Sequence, residues 1–338
     1  MTRMTIDRRL FTTGLLAAPF IGGKAASAQG RTTLRYAHVG TETEAQGRYA
    51  SELAGLVRER TQGRIDLRVF PGGQLGNLSE MIDGVRIGSI AMAHHDFASL
   101  DRFDRDVAVF NAPYAFRDAS HAMRATAEAT SPVLREINER LVAAGSVRIV
   151  GNFYRGARHF SSRFAIRSPA DMAGKRFRGV PLPLWNTMLR GMGAIPTPVE
   201  IAEIMPALMT GLVEGQENPL NTIISRRMFE ANKFVSMTAH MESVLAVFVN
   251  ERAWQGLAAG DREIFQACFT EMARRSMAWQ ADAEGQEMAQ LRQQGVTIID
   301  ASSGLDVQAF RTAVMRQVLA DFPHWAPLLE RLNQIQSS

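Results

Sequence analysis

Between Ala45 and Val69 a helical period gives way to strict alternation, and this switch limits the folds open to the chain. Ala45, Tyr49, Leu53, Leu56 and Val57 recur at the spacing of one helix face. Arg64-Ile65-Asp66-Leu67-Arg68-Val69 then alternates polar with apolar before Pro71-Gly72-Gly73 turns the chain. Further on, Leu78, Met81, Ile82 and Val85 predict a second helix, Ser89 to Ala93 a short apolar strand, and Ala122 through Val142 a longer helical region feeding a strand over Val147 to Phe153. Strands alternating with helices imply an α/β lobe with a largely parallel sheet. At 338 residues the chain exceeds one average domain and suits two such lobes.

The pattern resumes beyond Tyr154, where a second lobe is expected to open. Ser168 reads as an N-cap with Pro169 at the first helical position and Asp171 at the third, which fixes a short helix ahead of a Lys175 to Val180 strand. Leu184, Met188, Leu189 and Met192 form a helix stopped by Gly193. A helix near Glu203 requires Pro206 to sit in its first turn. From Asp261 to Gln294 the helical pattern outlasts a typical globular helix and reads as helices crossing between lobes. After Val318, the spacing of Phe322, Trp325, Leu328, Leu329 and Leu332 predicts a tail packed back on a lobe.

The first residues differ in kind. Arg8-Arg9-Leu10-Phe11, a short apolar run from Gly14 to Ile21 and the small residues Ala26-Ser27-Ala28 read as a cleavable export signal over residues 1–28. The apolar run is far shorter than the ~20 residues of a spanning helix, and the arginine pair suits the twin-arginine route as well as a general secretory leader. Removing this segment lowers the formal net charge from +4 to +1. A near-neutral mature chain without a basic run interleaved with aromatics gives no support for nucleic-acid binding. Cys268 is the single cysteine, which excludes an internal disulfide and a cysteine-based metal cluster, and its apolar helical setting predicts a buried, inert thiol.

Charge concentrates instead in the middle of the chain. Between Gly151 and Pro181 lie Arg155, Arg158, Arg163, Arg167, Lys175, Arg176 and Arg178 against the lone acid Asp171. Such an excess asks for an anion, although a solvated basic face is the ordinary alternative. Gly156-Ala157-Arg158, the run Ser168 to Arg178, Met192-Gly193-Ala194-Ile195-Pro196-Thr197-Pro198, Glu203 and Gly211 to Pro219 together resemble the DctP-type solute-binding proteins of TRAP transporters, from about Leu34 to the 290s.

The resemblance implies a two-lobe α/β periplasmic binding protein fold, type II-like, with lobes joined by crossing strands and a long bent helix. Carried over, lobe I holds 31–154 with 243–282, lobe II holds 155–242 with 283–310, and 311–338 form a C-terminal helical segment. It implies a periplasmic receptor, monomeric and not membrane-embedded, that closes on a small organic anion and delivers it to TRAP permease subunits, with no cofactor, metal or catalytic residue.

In that family the arginine closing the Gly-Lys-x-x-Arg strand forms the main salt bridge to the ligand carboxylate, and here it is Arg178. A guanidinium is planar, permanently charged and forked, so it gives two parallel hydrogen bonds to one carboxylate, which lysine cannot. Arg158 is the second donor by the same resemblance. Asn218 can donate and accept beside a carboxylate or hydroxyl, or simply turn the chain before Pro219. Asp96 aligns with an acidic position that accepts from ligand hydroxyls. His94 and His95 beside it point to opposite faces of a strand and make a poor chelate. His38 and Tyr154 complete the candidates as cleft or packing residues. Pro181, Ile201 and Met205 replace polar or aromatic residues frequent in the family, which predicts a more apolar pocket and favours a short sugar acid or a small hydroxy- or oxo-acid. An exported hydrolase is the competing class, but there is no Gly-x-Ser-x-Gly, P-loop, Gly-x-Gly-x-x-Gly or His-Glu-x-x-His. A receptor feeding a sensor kinase is the third reading.

Overall fold

The strand signals become one mixed sheet. The computed structural model describes residues 31–336; the expected export signal lies outside the described residues. The strands are β1 (Thr32–Ala37), β2 (Ile65–Phe70), β3 (Met92–Asp96), β4 (Val147–Ser162), β5 (Arg176–Gly179), β6 (Ile195–Pro198), β7 (Gly215–Asn218), β8 (Phe234–Asn250) and β9 (Thr297–Ile299). Their order is β2-β1-β3-β8-β4-β7-β5-β6, with β9 added on β8. Within each end of the sheet the short strands run parallel, whereas β4 and β8 pair antiparallel with each other along their length. The end of β8 pairs with β3 and the end of β4 with β7, so the long pair links the two ends of the sheet.

Three expectations shift in detail. The third strand begins at Met92 rather than Ser89, because Gly88 at φ +80° ends the preceding helix Leu78–Ile87 and Ser89 to Ala91 make the turn. The region Ala122 to Val142 is two helices, Ala119–Ala125 and Pro132–Gly145, since Ser131 starts a new one by accepting from the Leu134 N–H with Pro132 in its first turn. The strand expected to stop at Phe153 runs on through Tyr154 to Ser162. By contrast, Pro206 does lie in the first turn of the helix Ile204–Thr210.

One continuous helix of 35 residues, Ala259–Gln293, spans the molecule. Its Phe265, Phe269 and Met272 join Tyr49, Leu53 and Val57 in a core under the first lobe, while Leu291 joins Ile204, Leu208 and Ile223 in a core of the second. The C-terminal segment packs back as the spacing indicated, with Trp325 fully buried and stacked on Phe322 at 4.2 Å.

Candidate ligand-binding cleft

Each strand crossing delivers residues to the same place. The C-terminal ends of β1, β3, β5, β6 and β7 converge on one cavity, where open parallel sheets habitually hold ligands. Its lining includes Val39, His95, Asp96, Arg178, Val180, Glu200, Ile201 and Asn218 from those ends, Gln46 and Leu78 from the first turns of two helices, and Arg155 and Arg158 from β4.

Arginine placement on β4 depends on an irregularity. Four β4 residues, Tyr154 to Ala157, oppose three on β8, Val244 to Glu242, and Gly156 within this bulge has φ +96°. Residues three apart on a regular strand face opposite ways, so the extra residue resets the parity and lets Arg155 and Arg158 both line the cavity.

The three lining arginines have different partners. Arg155 donates to Ser243 Oγ at 2.8 Å and reaches both Asp96 oxygens at 3.4 Å. Arg158 grips Glu217 through Nε and Nη2 at 2.5 and 2.6 Å, leaving Nη1 without a hydrogen-bond partner. Arg178 donates only its Nε–H, to the Val199 carbonyl at 2.8 Å. Among the described residues its terminal nitrogens have no protein acceptor and no carboxylate within 4.0 Å. Arg178 has 2% of its surface exposed, and burial draws its pKa down to about 10.

Behind the arginines the acids are held ionised. Burial pushes the Glu217 carboxyl up, but the Arg158 guanidinium outweighs it and holds the group well below the carboxylate range. Glu217 also accepts from Trp185 Nε1 at 2.8 Å and lies 3.1 Å from His240 Nε2, which must carry the hydrogen because a carboxylate only accepts. Burial likewise raises Asp96, and Arg155 with Arg158 bring it below its ordinary value. Glu200, half-buried, moves the other way, raised by burial and by Glu203 and Glu80 against the pull of Arg178. Burial keeps His95 neutral, at about 4.

Of the residues expected from sequence, Arg178, Arg158, Asn218 and Asp96 meet in this cavity. Asn218 takes Arg158 Nη2 at 3.4 Å and donates to Gln216 at 2.6 Å. Two do not line it. Tyr154 donates to Glu242 at 2.6 Å, because its place before the bulge turns its ring away, and His38 stacks on His94 at 4.8 Å behind the cavity wall. The expected apolar character comes from Val180, Pro181 and Ile201, while Met205 is not in the lining. Sequence reasoning missed Arg155, Glu217, Gln46, His95 and Glu200 as site residues. Arg155 and Glu217 stood inside the singled-out runs; Gln46 had no distinguishing signal.

A further set of contacts closes one side of the cavity. Arg226 Nε lies 2.6 Å from Glu44 Oε1, an ion pair with the N–H poorly aligned on the oxygen, and its Nη2 and Nη1 donate to the carbonyls of Val39 at 3.2 Å and Ile201 at 3.4 Å. Asn221 Oδ1 accepts the Ala45 N–H at 2.9 Å, satisfying an orphan donor at the start of the helix Ala45–Arg60.

Residues 36–322 match the model for DctP, the bacterial extracellular solute-binding protein family 7. The chain belongs to this family. It is 29% identical over 330 residues to the 2,3-diketo-L-gulonate-binding periplasmic protein YiaO of Escherichia coli, covering 94% of this chain and 98% of that one. A TRAP periplasmic solute-binding protein of Roseobacter denitrificans, solved with bound L-galactonate, superposes with a TM-score of 0.82 at 26% identity, covering 90% of this chain and 99% of the other. The C4-dicarboxylate-binding periplasmic protein DctP of Rhodobacter capsulatus is 26% identical over 68% of each chain. These relatives are binding proteins. As a DctP-family receptor the protein captures an organic acid in the periplasm for a TRAP membrane permease. Among the described residues no helix is long and apolar enough to cross a membrane.

Proposed function

We propose that this DctP-family receptor binds a hexonate-sized sugar acid by lobe closure, without turning it over. The observation that carries the reading is Arg178, a buried, cavity-lining guanidinium whose terminal nitrogens have no protein acceptor among the described residues. An isolated buried charge is costly, so a ligand carboxylate that accepts two parallel hydrogen bonds there compensates what the fold leaves open. Gln46, whose buried Oε1 has no partner, Asn218 and neutral His95 supply hydroxyl recognition along the cavity. The relatives named for 2,3-diketo-L-gulonate and solved with L-galactonate support this ligand size.

Two rigid bodies, 31–154 with 243–282 and 155–242 with 283–310, close about β4, β8 and the long helix, and the ligand selects the closed state by binding it better. The test is thermal denaturation of the mature protein with L-galactonate, 2,3-diketo-L-gulonate, succinate and benzoate, followed by calorimetry. Sugar acids at 100 times Kd stabilise by about 2.7 kcal/mol, read as a clear rise in Tm. No rise with any sugar acid, or a rise with benzoate alone, overturns the reading.

A further inference from the structure

We propose that the cleft selects monocarboxylates and turns away a second carboxylate, with Glu200 as the residue that enforces the choice. The inference rests on the receptor reading above and narrows its substrate class. It begins from matching charges in the lining. Arg155 is chelated by Asp96 at 3.4 Å from both oxygens, and Arg158 is bound twice by Glu217. Only Arg178 of the three has no acid within 4.0 Å among the described residues. One unmatched cation in a desolvated cavity accommodates one carboxylate.

A second carboxylate has nowhere favourable to go. His95, the remaining group that could have become a cation, stays neutral through burial. Asp96 cannot release Arg155 without leaving its own charge buried and unpaired. Glu200 lines the same cavity, half-buried and without an ion-pair partner among the described residues, so a dianion reaching past Arg178 meets another negative charge. Against the pull of Arg178, Glu203 and Glu80, the latter on the helix across the cavity, add to the negative field at Glu200. Neutral hydroxyls face none of this repulsion, and Gln46 and Asn218 are suited to them. Family membership does not settle the matter, since relatives associated with L-galactonate and with C4-dicarboxylates are both similar to this chain.

Matched pairs test the proposal: L-galactonate against galactarate, gluconate against glucarate and threonate against tartrate, each pair differing in one terminal carboxylate, titrated into the full mature protein by calorimetry. The monoacid of a binding pair is expected to bind at least tenfold tighter than its diacid. Glu200→Gln narrows that ratio at least threefold, a change that a purely structural role would not produce, with melting curves confirming the fold. Diacids that match or exceed the monoacids, or a ratio unmoved by E200Q, overturn the selectivity and leave the receptor reading standing. If none of the six acids binds, the sugar-acid reading and the proposal built on it fall together.

Discussion

Arg178 stands out at the scale of single residues, because its charge lies in a desolvated place with one backbone acceptor. Arg178→Ala is expected to weaken acid binding by about 100-fold or more, following the roughly 3–5 kcal/mol attached to breaking a buried charge pair. Arg178→Lys keeps the charge but loses the fork and most of the affinity, so near-native calorimetric binding by that variant would show that bidentate geometry is unimportant. The unliganded protein responds differently. Arg178→Met removes a buried cation that no carboxylate contacts among the described residues, and its Tm without ligand should equal or exceed that of the native chain. A large drop in Tm would mean that Arg178 stabilises the fold rather than the complex.

At the scale of elements, β4 shows how a local irregularity aims a site. Gly156 lies at φ +96°, and a Cβ there would come within 3.0 Å of the Gln280 side chain on the long helix. Gly156→Ala should cost about 1–3 kcal/mol and weaken ligand binding together, since the bulge sets the parity of Arg155 and Arg158. Circular dichroism melts and calorimetry check both, and intact binding in a destabilised variant would detach the bulge from the site. The strand ends make a second prediction. Burial holds His38 and His95 at about 4 and His159 at about 3, against an ordinary 6.5. The unfolded chain takes up these protons as pH falls through 6.5 and the folded chain does so only near 4. The stabilising effect of the neutral rings is therefore full above 6.5 and lost progressively towards 4, at about 1.4 kcal/mol per pKa unit and group. Urea midpoints should fall steadily from pH 7 to 4.5, with His38→Phe flattening the slope. A level profile would contradict buried neutral imidazoles.

For the whole molecule, Arg226 joins parts of the chain that are distant in sequence. It pairs with Glu44 and donates to the backbone of Val39 and Ile201, two cavity-lining positions on segments that follow β1 and β6. In the proposed lobe closure this clasp bridges the two bodies, so its loss should act on release. Arg226→Ala is expected to speed ligand dissociation at least tenfold in stopped-flow measurements while association changes little, because the buried Glu44 charge is left unpaired in the closed state. Glu44→Gln combined with Arg226→Met should recover part of the loss. Equal effects on association and dissociation would assign the pair to folding instead.

Sequence alone determined the alternating strands and helices and the packed tail, and it singled out Arg178, which lines the cavity, since periodicity, caps and a family motif are local properties written in neighbouring residues. It also brought Arg158, Asp96 and Asn218 to attention. Partner choice belonged to the tertiary structure. That Glu217 occupies Arg158 and Asp96 occupies Arg155, while among the described residues no acid contacts Arg178, depends on a bulge and on strands 59 residues apart in the chain. The same packing turned Tyr154 towards Glu242, stacked His38 on His94 and brought Gln46 to the cavity. Charge can be counted along a sequence, but which charges neutralise one another is decided by distance and burial.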